Sequence, residues 1–261
     1  MSEKVSARSF WIGYQTILIK EVTRIIRIWA QTVIPPVITM TLYFVIFGAI
    51  IGRRVGEMEG MPYMEFIVPG LIMLTVITNS YGNVTSSFFG AKFGKHIEEL
   101  LISPLPPWII LLGYISGAVI RALVVGLLVW LVASFFAGFQ MHNIWVTASI
   151  LILTSVTFAL GGFINGVYAQ KFDDISIIPT FVLQPMTYLG GVFFSVTLLP
   201  GIWQQVSLVN PIVYMVSAFR YGILGISDMP LWVAYAIITG FGAVLFVVCL
   251  TLLNRGVGLR T

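Results

Sequence analysis

The chain of 261 residues carries 58% apolar side chains and only 9% charged ones, with a mean hydropathy of +0.99. A soluble domain holds about 25% charged residues, so this composition excludes one and defines an integral membrane protein. The net charge of +4 is a matter of placement in such a chain and does not indicate nucleic-acid binding, and the single Cys249 leaves no disulfide framework or thiolate metal cluster to build.

The first eight residues are polar, and no short apolar core with a small-residue cleavage site follows them, so no cleaved signal peptide is expected. From Ser9, a candidate cap, Phe10, Tyr14, Ile17, Leu18, Val22, Ile25 and Trp29 recur at helical spacing. Lys20, Thr23, Arg24, Arg27 and Gln31 fall on the other face. A basic amphipathic helix with tryptophans lies in the membrane interface; a helix packed only on its own bundle is the alternative. Pro35-Pro36 predicts an extended break between this segment, residues 9–34, and the first crossing.

Six crossings are predicted: Val33–Ile51, Phe66–Phe89, Trp108–Phe136, Ile144–Val167, Ile175–Phe194 and Leu231–Leu253. With the N-terminus inside, Lys4, Arg8, Lys20, Arg24, Arg27, Lys92, Lys95, Lys171, Arg255 and Arg260 fall on the cytoplasmic side. Arg53, Arg54 and Arg220 fall outside, and Arg121 lies within a crossing. That bias places both termini in the cytoplasm. Between Pro179 and Gly225 the chain stops behaving as a spanning helix. Pro179, Pro185 and Gly190-Gly191 weaken the helix, and Pro200-Gly201 and Asn210-Pro211 separate apolar pieces too short to span. Such pieces read as re-entrant or interfacial and should cap a transport path at the outer face over residues 190–225; a surface loop that only packs is the alternative.

No nucleotide or catalytic site is found. The string GAKFGKH, Gly90 to His96, misses the phosphate loop by one residue between its glycines and by a histidine where a hydroxyl is needed. The crossings contain no acidic residue of the kind that proton-coupled carriers use, so uphill transport would draw its energy from another subunit. Residues 90–104 offer the docking point. Phe93, Ile97, Leu100 and Leu101 share one helical face there, with Glu98 and Glu99 beside them, and such a helix enters a partner's groove. A solvated charged loop is the alternative. Asp173 and Asp174 in the second cytoplasmic loop reach the same partner or cap the fifth crossing, and the cap is the better reading.

The double proline in QTVIPPVITMTLYFVIFG, then FIVPGLIM, SSFFGAKF with IEELLISPLP, KFDDIS, and above all YLGGVFFSVTLLP through NPIVYMVSAFRYGILG, resemble the membrane subunit of an ABC-2 type exporter of the bacterial inner membrane. The resemblance covers nearly the whole length, as one transmembrane domain over residues 1–261. It implies an all-α polytopic fold of six crossings, an interfacial elbow helix and re-entrant helices before the last crossing. It also implies a homodimer working with two copies of a separate ATPase, which binds ATP and Mg; no cofactor is expected in this chain.

For the path, Thr75, Asn79, Gly82, Asn83 and Ser86 share a face of the second crossing that should look inward, as lining or as packing contacts. Arg121 sits where a charge costs at least about 2.5 kcal/mol, and either lines a wet path or holds a neighbour's carbonyls. Gly48/Gly52, Gly113/Gly117 and Gly162/Gly166 permit close helix approach. At the outer region Gly190, Gly191, Pro200, Asn210, Pro211 and Arg220 are the candidate gate. The expected function is ATP-driven export of an amphipathic or hydrophobic cargo: a drug-like compound, a lipid or a lipid-linked glycan. An energy-independent channel and a membrane scaffold for a cytosolic protein are the alternatives.

Overall fold

The computed structural model describes residues 7–138 and 141–258. Lys4 and Arg260, counted above for orientation, lie outside the described residues, as does the side chain of Leu101. The chain runs from α1 (Ala7–Arg27) into α2 (Trp29–Val55), a span that includes a π-helical stretch at Phe44–Ile51. A two-residue hairpin, β1 (Glu57–Met58) and β2 (Met61–Pro62), leads into α3 (Tyr63–Phe93). Then come α4 (His96–Ile102), α5 (Pro107–Ala133) and α6 (Ile144–Tyr168). A composite helix α7, residues 174–188, contains a π turn at Pro179–Leu183. The chain closes with α8 (Gly201–Val209), α9 (Pro211–Leu224) and α10 (Leu231–Arg255).

Five of these helices, α2, α3, α5, α6 and α10, are long and apolar enough to cross a membrane. The fifth predicted crossing is shorter than expected. Its helix ends at Tyr188 rather than Phe194, because Gly191 takes a left-handed turn at φ +73° and residues 192–195 are not helical. At 1.5 Å per residue α7 is about 22 Å long, and a single 3-10 turn at Val196–Leu198 follows before α8. The predicted break at Pro35-Pro36 is also corrected: both prolines lie inside α2. The bend falls at Ile28 (φ −106°, ψ 28°), so α1 and α2 meet seven to eight residues before the prolines.

The two ends of the bundle are distinct. At one, which we call the basic end, Lys92 Nζ donates to the carbonyls of Val167 (2.6 Å) and Ala169 (2.9 Å), which brings the ends of α3 and α6 together. At the far end the Tyr63 hydroxyl donates to Phe193 O (3.1 Å), and His142 and Asn143 N–H groups bond Ile223 and Gly222 carbonyls of α9. The core is likewise in two parts. Phe66, Leu71, Met73, Val76, Met215 and Phe219 fill the far half. Phe88, Leu111, Tyr114, Phe163 and Ile97 fill the basic half.

Lipid is as apolar as leucine, so close approach and polar contacts, rather than burial from water, fix these helices. Gly162 and Gly166 of α6 lie directly on the α3 backbone at Tyr81 and Thr85, where a larger residue would collide. Gly113 and Gly117 of α5 do the same for α1: an added Cβ would stand 2.5 Å from Ile17 and 2.6 Å from Glu21. This glycine pair therefore seats the first helix within the chain. It follows that α1 runs beside α5, with Ile17, Glu21 and Ile25 as its buried row. Its other side exposes Trp11, Ile12, Ile19 and Ile26.

Candidate functional site

Most of α3 is covered, but one stripe is bare. Thr78, Ser86, Gly90 and Phe93 are exposed, and nothing lies within 4 Å of a Cβ placed at Gly82 or Gly90. Thr78 and Asn79 face a cavity of about 260 Å³ shared with Pro35, Pro36 and Tyr43 of α2 and Gln184 and Thr187 of α7. A second cavity of about 200 Å³ adjoins it, lined by Gly82, Pro179 and Thr180 with the same Thr78, Gln184 and Thr187. Small and hydroxyl-bearing side chains in this position suit water or a mobile guest better than acyl chains.

The predicted path residues do not form a single lining. Asn79 faces the cavity, its amide donating to Thr75 O at 3.0 Å, and Ser86 lies on the bare stripe. Thr75 borders the same cavity but is otherwise buried, with its hydroxyl turned back to Leu71 O. Asn83 and Arg121 belong to another group. Each step of four residues turns about 40° around a helix, so Asn83 lies about 80° round from Thr75 and faces α1 and α5.

There a buried ionic knot joins three helices. Glu21, fully buried, accepts from Arg24 Nη2 at 3.0 Å and from the Ser87 hydroxyl. The same Arg24 nitrogen reaches Asn83 O at 3.1 Å and Asn83 Oδ1 at 2.7 Å. Arg121 Nη1 reaches that Oδ1 at 3.3 Å. Arg121 therefore holds a side-chain amide of a neighbouring helix, not a backbone carbonyl and not the cavity. Glu21 was not singled out from the sequence. The available signal was its spacing of four from both Ile17 and Ile25 on a helix with Arg24 three residues on.

At the far end the broken region is tied by Arg220, which is 1% exposed. Asn210 caps α9 by accepting from Ile212 N (3.0 Å), and its amide donates to Met186 O of α7 (2.6 Å). Pro211 follows as the first helical residue. Pro200 stands just before α8, and α8 and α9 meet at 87°. Gly190 sits against Ile212, 2.5 Å from an added Cβ. Arg220 donates to Gly191 O (2.6 Å) and Asp228 Oδ2 (3.2 Å), and its guanidinium lies 4.0 Å from the Phe66 ring centre. Arg220 was counted as an outer-side charge, but it is an internal tie.

The connection at the basic end also differs from expectation. Ile97 is 1% exposed and packs into the bundle core, with Leu100 beside it. Ile97 is thus taken up by its own protein and is not free for a partner's groove. Phe93 (62% exposed), Ile102 (85%) and the two glutamates, Glu98 and Glu99, are what α4 and its approach present. Phe93 meets Phe172 of the other connection at 4.9 Å between ring centres. Both connections therefore contribute to one surface. Asp173 is exposed on it, while Asp174 Oδ2 accepts the N–H groups of Gln170 and Lys171, both at 2.9 Å. Those two bonds hold the Asp174 carboxyl below its ordinary value.

A bundle of membrane-length helices with a sharply bent helix pair at one end and a bare polar helix face beside a cavity is an architecture suited to a membrane permease. The model of the ABC-2 type transporter family matches residues 13–224, and the chain belongs to that family. It is 56% identical over 252 residues to the inner membrane transport permease YadH of Escherichia coli K12, covering 97% of this chain and 98% of that protein. It is 26% identical over 175 residues to nodulation protein J of Sinorhizobium fredii, 67% of each chain. Nodulation protein J of Rhizobium leguminosarum bv. viciae gives 25% over 185 residues, 70% of this chain and 71% of that one. The chain is thus a multi-pass transport permease of a bacterial inner membrane.

Proposed function

We propose that the chain is the membrane half of an ATP-driven exporter, acting as a homodimer with two copies of a separate ATPase, and that its cargo is amphipathic or hydrophobic. The bare polar stripe of α3 carries this reading. Thr78, Gly82, Ser86 and Gly90 leave a groove open along a helix that is otherwise enclosed. A second copy facing it would turn the half-channel formed with α2 and α7 into a closed path. Its lining offers hydroxyls, amides and aromatic edges but no ring of charges, which favours an amphipathic cargo over an ion.

The ATPase contact is assigned to the surface shared by Phe93, Phe172, Ile102, Glu98, Glu99 and Asp173. Exposed aromatic anchors within a charged rim are what a protein partner's groove takes up. The orientation follows: the basic end and both termini face the cytoplasm, and the α8–α9 pair faces out.

The test is reconstitution of the chain with its ATPase in liposomes. ATP hydrolysis should depend on the permease and change with cargo, and Ser86→Trp, which fills the groove, should abolish transport while the complex still assembles. Assembly without any ATPase partner would leave a passive channel, and normal transport by Ser86→Trp would remove the groove from the path.

A further inference from the structure

Arg24 and Arg121 come from different helices and converge on one oxygen, Asn83 Oδ1, at 2.7 and 3.3 Å. Among the described residues one carboxylate meets them, Glu21, and it is already engaged by Arg24 and Ser87. Two guanidiniums against one carboxylate leave a positive charge at the crook where α1 bends into α2. Among the described residues Arg24 Nη1 and Arg121 Nη2 have no hydrogen-bond partner, and neither is among the enclosed atoms, whereas the Nε of each is enclosed. The free N–H groups therefore open onto the surroundings, and the Arg24 side chain is 25% exposed. Exposed apolar residues stand beside the pair, Trp29 just past the bend and Val124 three residues on from Arg121, with Arg27, three residues on from Arg24, adding a further cation.

A guanidinium N–H makes a strong charge-assisted bond to a phosphate oxygen, and two such groups, one Nη from each arginine, held by a shared acceptor need little reorganisation to receive one. An apolar margin around a fixed cationic pair suits an anion that carries acyl chains. We propose that the Arg24–Arg121 pair binds the phosphate of a membrane lipid, seated in the crook between α1 and α2. The assignment is independent of the transport reading, because it is read by binding alone.

The experiment is native mass spectrometry of the full-length protein, titrated with phosphatidylglycerol, phosphatidylcholine or inorganic phosphate. Phosphatidylglycerol should be retained in preference to phosphatidylcholine. Losing two charge-assisted contacts in the Arg24→Gln/Arg121→Gln variant should weaken retention by about tenfold or more. Glu21→Gln removes the counter-charge and should tighten it. Asn83→Asp keeps both arginines but supplies the missing negative charge, so it should reduce retention even if the double variant does not fold. Equal retention by wild type and Asn83→Asp, or a lipid displaced by millimolar inorganic phosphate, would overturn the proposal; the second result would assign the site to a free anion.

Discussion

Asn83→Ala tests whether the ionic knot holds the first helix in place. The substitution removes Oδ1, and with it a short charge-assisted bond to Arg24 (2.7 Å) and a long one to Arg121 (3.3 Å), while Arg24 keeps its 3.1 Å bond to the Asn83 carbonyl. A hydrogen bond to a charged group contributes about 1.5–3 kcal/mol, and the longer contact adds less than a neutral one. Against this, Asn83 Nδ2 is enclosed without a partner, and its removal returns about 1 kcal/mol. The balance is a loss of about 2 kcal/mol, or a fall in Tm of about 4–8 °C for a chain of this size. Asn83→Asp should instead sit at or above the wild-type Tm, because it balances the two guanidiniums. Thermal unfolding of the purified protein in one detergent reads both. An unchanged Tm for Asn83→Ala, together with a lower Tm for Asn83→Asp, would refute the assigned geometry and charge count.

Ile97→Asp places a charge in the core of the basic half; it should cost several kcal/mol and lower the yield of folded protein, whereas Phe93→Ala with Phe172→Ala should leave Tm near wild type and weaken capture of the ATPase in a pull-down. Asp228→Ala leaves Arg220 buried with its charge uncompensated, a loss of about 3–5 kcal/mol in thermal unfolding that Asp228→Asn should partly recover through the Ser195 and Arg220 contacts. In a Cys249→Ser background, cysteines at Gly56 and Leu199 should react with an impermeant maleimide added to sealed cells and cysteines at Gly94 and Lys171 should not; labelling at Gly94 would reverse the orientation.

The apolar runs and their breakers were legible because both are local. Asn210-Pro211 and Pro200-Gly201 mark helix starts, and Gly190-Gly191 marks an end, for reasons of backbone chemistry that need no neighbour. Pro35-Pro36 misled because the rule for the residue before proline is only a bias. Two prolines deprive the Gln31 and Thr32 carbonyls of helical partners, but in a membrane helix neighbouring groups re-satisfy such carbonyls. The bend moved to Ile28, just beyond the residues pinned by the ionic knot, where Thr32 N still closes on Ile28 O at 3.0 Å. Ile97 shows the limit of periodicity: the pattern identifies the apolar face of α4 but not which surface covers it. Arg121 was visible as a costly charge, yet its partner Asn83 comes from another helix and the carboxylate beside it from a third, so only the fold unites them.

The arrangement of α3 bears on how a push at the basic end reaches the cavity. Phe93, Gly90, Ser86, Gly82 and Thr78 are spaced by three or four residues and so form one exposed stripe, which winds about 120° round the helix between Thr78 and Gly90. A load on Phe93 therefore acts on the same rigid element whose bare stripe borders the cavity, with no intervening joint. Sliding along the axis is opposed on two sides. Gly162 and Gly166 sit against the α3 backbone at Tyr81 and Thr85, and the Thr85 hydroxyl donates to Gly162 O at 3.0 Å. Opposite them, Asn83 and Ser87 are bound to Arg24 and Glu21 of α1. Both constraints fall between residues 81 and 88, roughly 8–18 Å from the loaded end. A helix held near that level and pushed at its end tilts about the constraint. The cavity residues Thr78 and Asn79 lie just beyond it, so they move opposite to Phe93. Under the proposed function, a tilt of this kind would change the width of the groove against α2 and α7 while leaving the tight α3–α6 contact intact, as a gate driven by a partner ATPase requires.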